Sequence, residues 1–318
     1  MRILFFGTPE FAVPSLRALA HSPHEVAAVV TQPDRPRGRG QKLVPSEVKA
    51  AAVELGLEVW QPQRLRGGDF DDQVRALSAD LGVVAAYGRI LSGSLLALPR
   101  LGMINVHASL LPRWRGAAPV HRAVIAGDSE TGVTIMQVVE ALDAGPMLAR
   151  LPTHIGPEDT SDVLEKRLAD LGAGLLVETV NAIARGPVTA TPQNETAVTY
   201  AAKLERHESS LDWHQPAQVL HDLIRGLQPW PVAAALLHGR RVMMRRSHPD
   251  PEEIHTAPSG TILRVEPDAL VVAASSGVIH LLDLQPEGRP VMTIRDYLNG
   301  RPVEPGDRFE RWVPPDRQ

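Results

Sequence analysis

The stretch INVHASLLPRWRGAAP, Ile104 to Pro119, begins as an apolar strand, places Asn105 and His107 at its end, and turns through Pro112 into a small-residue helix start. A strand that hands over to a helix belongs to an alternating α/β chain, and the flanking sequence keeps that rhythm. Strand candidates are Arg2–Phe6, Val26–Thr31, Val59–Trp60, Leu81–Ala86, Met103–Val106, Val133–Val138 and Leu148–His154. Helical patterns cover Phe11–Ala20, Pro45–Leu55, Asp69–Leu77, Ala118–Ala126 and Thr160–Ala184, the last expected to break softly at Gly172 and Gly174. Strands rich in Val, Ile and Leu without polar alternation predict a mostly parallel, doubly wound sheet covered on both faces.

The rhythm changes after Thr191. The passage TPQNETAVTYAAKLERHESSLDW reads as a connection and leads through the helical PAQVLHDLIRGL into short strands separated by the turn signals HG, EPD, SSG and PEG. That spacing predicts a small C-terminal β-barrel of OB-like type. The expected domains are therefore 1–190, a linker over 191–205, and 206–318.

The 318 residues suit two domains, and 43% apolar with 22% charged residues is the composition of a globular protein. No run approaches the ~20 apolar residues of a membrane span. The start MRILFFGTPEF meets Glu10 after a short apolar run and reads as a first strand, so a cytoplasmic location is expected. The absence of cysteine excludes disulfides, thiolate metal sites and a cysteine nucleophile. A net charge of -4 argues against coating nucleic acid by bulk electrostatics, so any such contact must be local.

Residues two apart on a strand share a face, so Asn105 and His107 project together toward the crevice where open α/β sheets hold ligands. An amide beside an imidazole suits acyl transfer, polarising a carbonyl oxygen and handling one proton. Asp143, in the turn Asp143-Ala144-Gly145-Pro146 after the Val133–Val138 strand, is expected at the same sheet end, where its carboxylate would orient the imidazole and raise its pKa. An Asn-x-His pair also reads as an ordinary turn with satisfied hydrogen bonds, and residue types alone leave both readings open. Ser109 lacks a nucleophile-elbow context and reads as a turn residue. Ser109, Leu110, Leu111 and Pro112 form a stiff apolar wall suited to a flat ring.

With these residues in view, the chain resembles the methionyl-tRNA formyltransferases along essentially its whole length. The resemblance rests on FGTPEFAVPSL, TQPDRPRGRGQKLVPSEVKAAA, NVHASLLPRWRGAAPVHRAVIAGDSETGVTIMQVVEALDAGPML, YAAKLERHESSLDW and PWPVAAALLHGRRV. It implies transfer of a formyl group from 10-formyltetrahydrofolate to the α-amino group of methionine on initiator methionyl-tRNA, with no metal. It also implies Asn105, His107 and Asp143 as the catalytic trio and Ser109–Pro112 as lining for the folate.

The run DRPRGRGQKL carries Arg35, Arg37, Arg39 and Lys42. By itself it reads as a solvated loop and is no dinucleotide fingerprint. The resemblance makes it a tRNA-binding arm, with Lys203 and the Arg240, Arg241, Arg245 and Arg246 cluster adding backbone contacts. A monomer is expected. The nearest alternative is a folate-dependent formyltransferase acting on a nucleotide-linked amino sugar, which gives no reason for a cationic arm. A nicotinamide oxidoreductase and a non-catalytic nucleic-acid-binding barrel are the rivals from other classes.

Overall fold

RILFFG, the first strand, shows how the sequence builds the sheet: Ile3, Leu4, Phe5 and Phe6 are all fully buried, so apolar side chains leave both faces of the strand and both faces must be covered. The computed structural model describes residues 1–37, 42–65 and 69–315. The chain divides into two units, one of Met1–Pro119, Glu130–His154 and Glu165–Ala201, the other of Val120–Ser129, Ile155–Leu164 and the chain from Ala202 onward.

In the first unit the strands are β1 (Arg2–Gly7), β2 (Glu25–Val30), β3 (Arg35–Arg37), β4 (Lys42–Val44), β5 (Val59–Trp60), β6 (Leu81–Ala85), β7 (Met103–His107), β8 (Arg115–Gly116), β9 (Glu130–Gln137), β10 (Met147–His154) and β11 (Tyr200–Ala201). The helices are α1 (Val13–Ala20), α2 (Glu47–Glu54), α3 (Asp69–Leu77), α4 (Gly93–Leu96), α5 (Pro119–Ile125) and α6 (Ser161–Arg185), the last two shared between the units. The main sheet has the order β10-β9-β7-β6-β1-β2-β5. Its strands from β7 to β5 are parallel, as the unbroken apolar runs predicted, and β9 and β10 are antiparallel additions at one edge. Strand order reverses between β1 and β6, which makes their carboxyl ends the expected ligand crevice.

The soft break in the long helix does not occur, and α6 runs unbroken. A Cβ on Gly172 would lie 2.9 Å from Val106 Cγ1 and 3.3 Å from Val133 Cγ1, so glycine is there to let the helix close on the sheet. That packing offsets the ~1 kcal/mol helix penalty of a glycine.

The second unit carries β12 (Ala234–Leu237), β13 (Arg240–Asp250), β14 (Ile262–Val265), β15 (Leu270–Ala273), β16 (Val278–Pro286), β17 (Met292–Thr293) and β18 (Phe309–Arg311), with α7 (Ala217–Gly226) and α8 (Ile294–Gly300). The sheet is antiparallel, in the order β14-β15-β16-β13-β12-β18 with β17 beside β16. A bridge between Thr261 and Arg308 and the Ile262 N–H bond to Asp307 O at 2.8 Å join its two ends, curling it into the expected barrel. Among the described residues, no helix is long and apolar enough to cross a membrane.

Candidate active site

Period-two alternation along β7 sends Ile104 and Val106 to one face and Asn105 and His107 to the other. His107 is buried, whereas Asn105 is partly open, and its side-chain amide has no hydrogen-bond partner among the described residues. His107 Nε2 lies 3.0 Å from the carbonyl of Trp114. A carbonyl only accepts, so Nε2 carries a proton and donates it there, and Nδ1 is the nitrogen left over. Nδ1 faces Asp143 Oδ2 at 3.8 Å, near enough for charge to matter and too far for a direct hydrogen bond.

Asp143 arrives by a different route from the expected one. Strand β9 runs antiparallel to β7, with Gln137 beside Ile104, so β9 ends away from His107. The chain after it turns back to bring the carboxylate to the imidazole. That return depends on a tight turn: Asp143 has φ 46°, and a Cβ on Gly145 would lie 1.8 Å from Gln137 O. Asp143 Oδ2 accepts the Gly116 N–H at 2.9 Å, and Trp114 also holds a left-handed φ of 63°. Two non-glycine residues in that region, one beside each nitrogen of His107, are local strain gathered at the site.

The structure divides the predicted wall. Ser109 and Leu111 are fully buried, whereas Leu110 and Pro112 are partly exposed. Ser109 Oγ donates to Arg113 O at 2.6 Å, which fits a turn residue, and Leu111 packs with Met136 and Met147. Thr134 holds the loop from the neighbouring strand, donating to Ser109 O at 2.7 Å and accepting the Leu111 N–H at 3.1 Å.

Sequence reasoning missed the other side of the crevice. After β1, Thr8 Oγ1 donates to Tyr87 O at 3.0 Å, and after β2, Gln32 Nε2 donates to the same carbonyl at 2.8 Å. Ala86, just past β6, takes φ 46°. The only signal for these residues was their place after predicted strands, which the topology alone converts into convergence.

Residues 1–180 match the model of the formyl transferase family, and residues 203–302 match that of the formyl transferase C-terminal domain. A methionyl-tRNA formyltransferase of Moorella thermoacetica is 47% identical over 96% of this chain and 98% of its own length. One from Xylella fastidiosa is 50% identical over 95% of this chain and 98% of its own. The chain belongs to the methionyl-tRNA formyltransferases. Solved structures share the fold at low identity. An N-formyltransferase of Helicobacter canadensis, solved with folinic acid and dTDP-3-aminofucose, gives a TM-score of 0.66 at 16% identity over 88% of this chain and 98% of its own. HypX of Aquifex aeolicus with tetrahydrofolic acid gives 0.60 at 17% over 97% of this chain and 50% of its own.

For this member of the methionyl-tRNA formyltransferases the basic run forms a hairpin stem. Strands β3 and β4 pair with Arg35 opposite Val44 and Arg37 opposite Lys42, and Arg39 lies outside the described residues. Exposed Arg35 donates to Gln32 Oε1 at 2.6 Å. The stem is anchored through Asp34, which meets Lys49 Nζ at 2.7 Å and the Gln61 amide at 2.7 Å. These hydrogen bonds hold the Asp34 carboxyl below the usual carboxylate range. Lys203 is exposed. Two of the strand arginines are already engaged: Arg246 meets Asp283 at 2.7 Å, and the Arg241 guanidinium lies 3.8 Å from the Trp312 ring centre. The cluster Asp250, Glu253 and His280 has the residue types of a metal site, but Arg264 holds both oxygens of Glu253.

Proposed function

We propose that the chain transfers the formyl group of 10-formyltetrahydrofolate to the α-amino group of methionine on initiator methionyl-tRNA, for translation initiation, and that Asn105, His107 and Asp143 carry the chemistry. The observation that supports this most is one face of β7 bearing an unpartnered amide and an imidazole with one spare nitrogen, 3.8 Å from a carboxylate, in a chain of this family.

The attacking amine forms a new C–N bond at the formyl carbon, the bond from that carbon to the folate nitrogen breaks, and the amine loses a proton as the folate nitrogen gains one. Negative charge grows on the formyl oxygen, and the Asn105 N–H donates to it; one such donor is worth about 3 kcal/mol in a transition state. His107 Nδ1 is free to accept the amine proton and return it to the leaving nitrogen, because Nε2 is committed to Trp114 O. The Asp143 carboxylate stabilises the imidazolium formed between those steps.

Ser109–Pro112 offers the folate a wall through Leu110 and Pro112, while Leu111 and Ser109 hold it from inside. Arg35, Arg37, Arg39, Lys42 and Lys203 bind tRNA, guanidinium groups being suited to phosphates. The catalytic domain spans 1–190 and the barrel 206–318, joined by 191–205, and the enzyme works as a cytoplasmic monomer.

The test is formylation of initiator methionyl-tRNA with 10-formyltetrahydrofolate by the purified chain and its His107→Ala variant. Formylmethionine recovered from the tRNA with the former and not the latter supports reaction and site together. Equal product from both would remove His107 from the chemistry.

A further inference from the structure

The turn that brings Asp143 to His107 is hydrogen-bonded by a residue from a segment whose composition suggests a mere connection. Gln193 is buried, 8% exposed, and its side-chain nitrogen donates to Asp143 O and Gly145 O, each at 2.8 Å. Both amide hydrogens are therefore spent on the two carbonyls that define the turn. The Gln193 oxygen accepts from Arg115 Nε at 3.0 Å, which fixes the amide's orientation. Arg115, itself 3% exposed, is tied in turn to Glu195, its Nη2 lying 2.8 Å from Oε1.

The same segment grips the far side of the site. Thr199 Oγ1 accepts the Trp114 N–H at 2.9 Å and Thr199 O accepts the Arg115 N–H at 2.9 Å, leading into the parallel pairing of β11 with β8. Trp114 supplies the carbonyl that holds His107 Nε2, and Gly116 supplies the N–H that holds Asp143 Oδ2. Residues 193–201 thus contact the immediate supports of both the imidazole and the carboxylate.

We propose that Gln193, oriented by Arg115, is a positioning residue that fixes the Asp143 turn and so sets the carboxylate against His107 for formyl transfer. The inference rests on the reading of Asp143 and His107 given above. Loss of the two donors leaves two carbonyls of a strained turn unpaired, and the turn relaxes. A displacement of about 1 Å in a catalytic group costs turnover on the order of a hundredfold.

The experiment is a double-mutant cycle on the full chain, measuring kcat, KM for each substrate and the thermal midpoint. The variants are Asp143→Ala, Gln193→Met, Gln193→Glu and the combination of Asp143→Ala with Gln193→Met. Gln193→Met keeps the length and removes both donors. Gln193→Glu keeps the Arg115 contact and also removes them, so it separates lost positioning from a lost fold. Both are expected to lower kcat ten- to a hundredfold, with either KM changed less than threefold. In the Asp143→Ala background the Gln193→Met change is expected to cost less than threefold more, because a residue acting through Asp143 has nothing left to position. Full turnover in Gln193→Glu, or additive losses in the cycle, overturns the proposal while leaving Asp143 intact as a catalytic residue. Unchanged turnover in Asp143→Ala alone would instead remove the reading on which the proposal rests.

Discussion

Two buried histidines, one in each unit, have nearly the same burial and opposite bonding. His107 spends one ring nitrogen on the Trp114 carbonyl and leaves the other facing a carboxylate beyond bonding distance. His221, 3% exposed on α7, spends both: Nδ1 meets Ser247 Oγ at 3.0 Å and Nε2 meets Pro157 O at 2.9 Å. Burial does not mark a histidine as functional. A ring with both nitrogens satisfied is a pin, and a ring with one nitrogen idle beside an unpartnered amide and a carboxylate has a lone pair left to accept a proton.

The sharpest way to break that contrast is to remove each ring. His107→Gln is expected to lower kcat by roughly a thousandfold, within the 10²–10⁴ typical of a general acid–base group, with a small change in thermal midpoint. His221→Ala is expected to do the reverse, costing about 1–3 kcal/mol of stability as Ser247 and Pro157 lose their partner, with kcat held within a few-fold at a temperature where the variant is folded. Steady-state kinetics beside urea unfolding reads both, and matching profiles for the two variants would end the distinction.

Next in size is the amide on the same strand face. Asn105→Ala should lower kcat by about a hundredfold, as expected for one lost donor to a developing oxyanion, and leave folate affinity within a few-fold. A loss confined to KM would mean that Asn105 grips the ground state instead.

Smaller again is the hairpin. Arg35→Ala should raise the KM for tRNA by a few-fold and the effect should shrink as salt rises, because a phosphate contact is screened. The folate KM should stay put; if both shift together, the hairpin is not a tRNA arm.

A third histidine sharpens the comparison through pH. Burial holds the His121 pKa below the ordinary imidazole value, with Arg122 adding to the shift and Asp162 opposing it. A lowered folded pKa means the unfolded chain takes up the proton first, so this contribution is present above about pH 6.5 and is lost as pH falls toward the folded value. His121→Gln should flatten the stability profile below about pH 6.5, the smallest effect of the set, and an unchanged slope in urea unfolding would assign the pH dependence elsewhere.

Much of the first unit was legible because its information is local. Runs such as LFF and VVA, in a chain that alternates them with helical patterns, read as strands of a covered sheet, and Asn105 and His107 share a face because a strand alternates. Motifs quoted from FGTPEF to PWPVAAALLHG were enough to point to the family that the full-length comparisons then established. What failed was local inference carried across distance. Gly172 and Gly174 suggested a helix break that does not occur, Gly172 being the one that packs closely on Val106 and Val133, and Asp143 was expected at a shared sheet end that antiparallel β9 does not provide.

The sequence by itself determined the alternation of strands and helices, the pairing of Asn105 with His107 on one face, the change to short strands after Thr191, and the absence of any thiol chemistry. Only the tertiary structure decided which nitrogen of His107 is spare, how the Asp143 turn folds back, and that Gln193 clamps it across fifty residues of chain. The reason is that periodicity and turn chemistry act between near neighbours, whereas a hydrogen bond to a distant carbonyl exists only once the whole sheet has brought the two segments together.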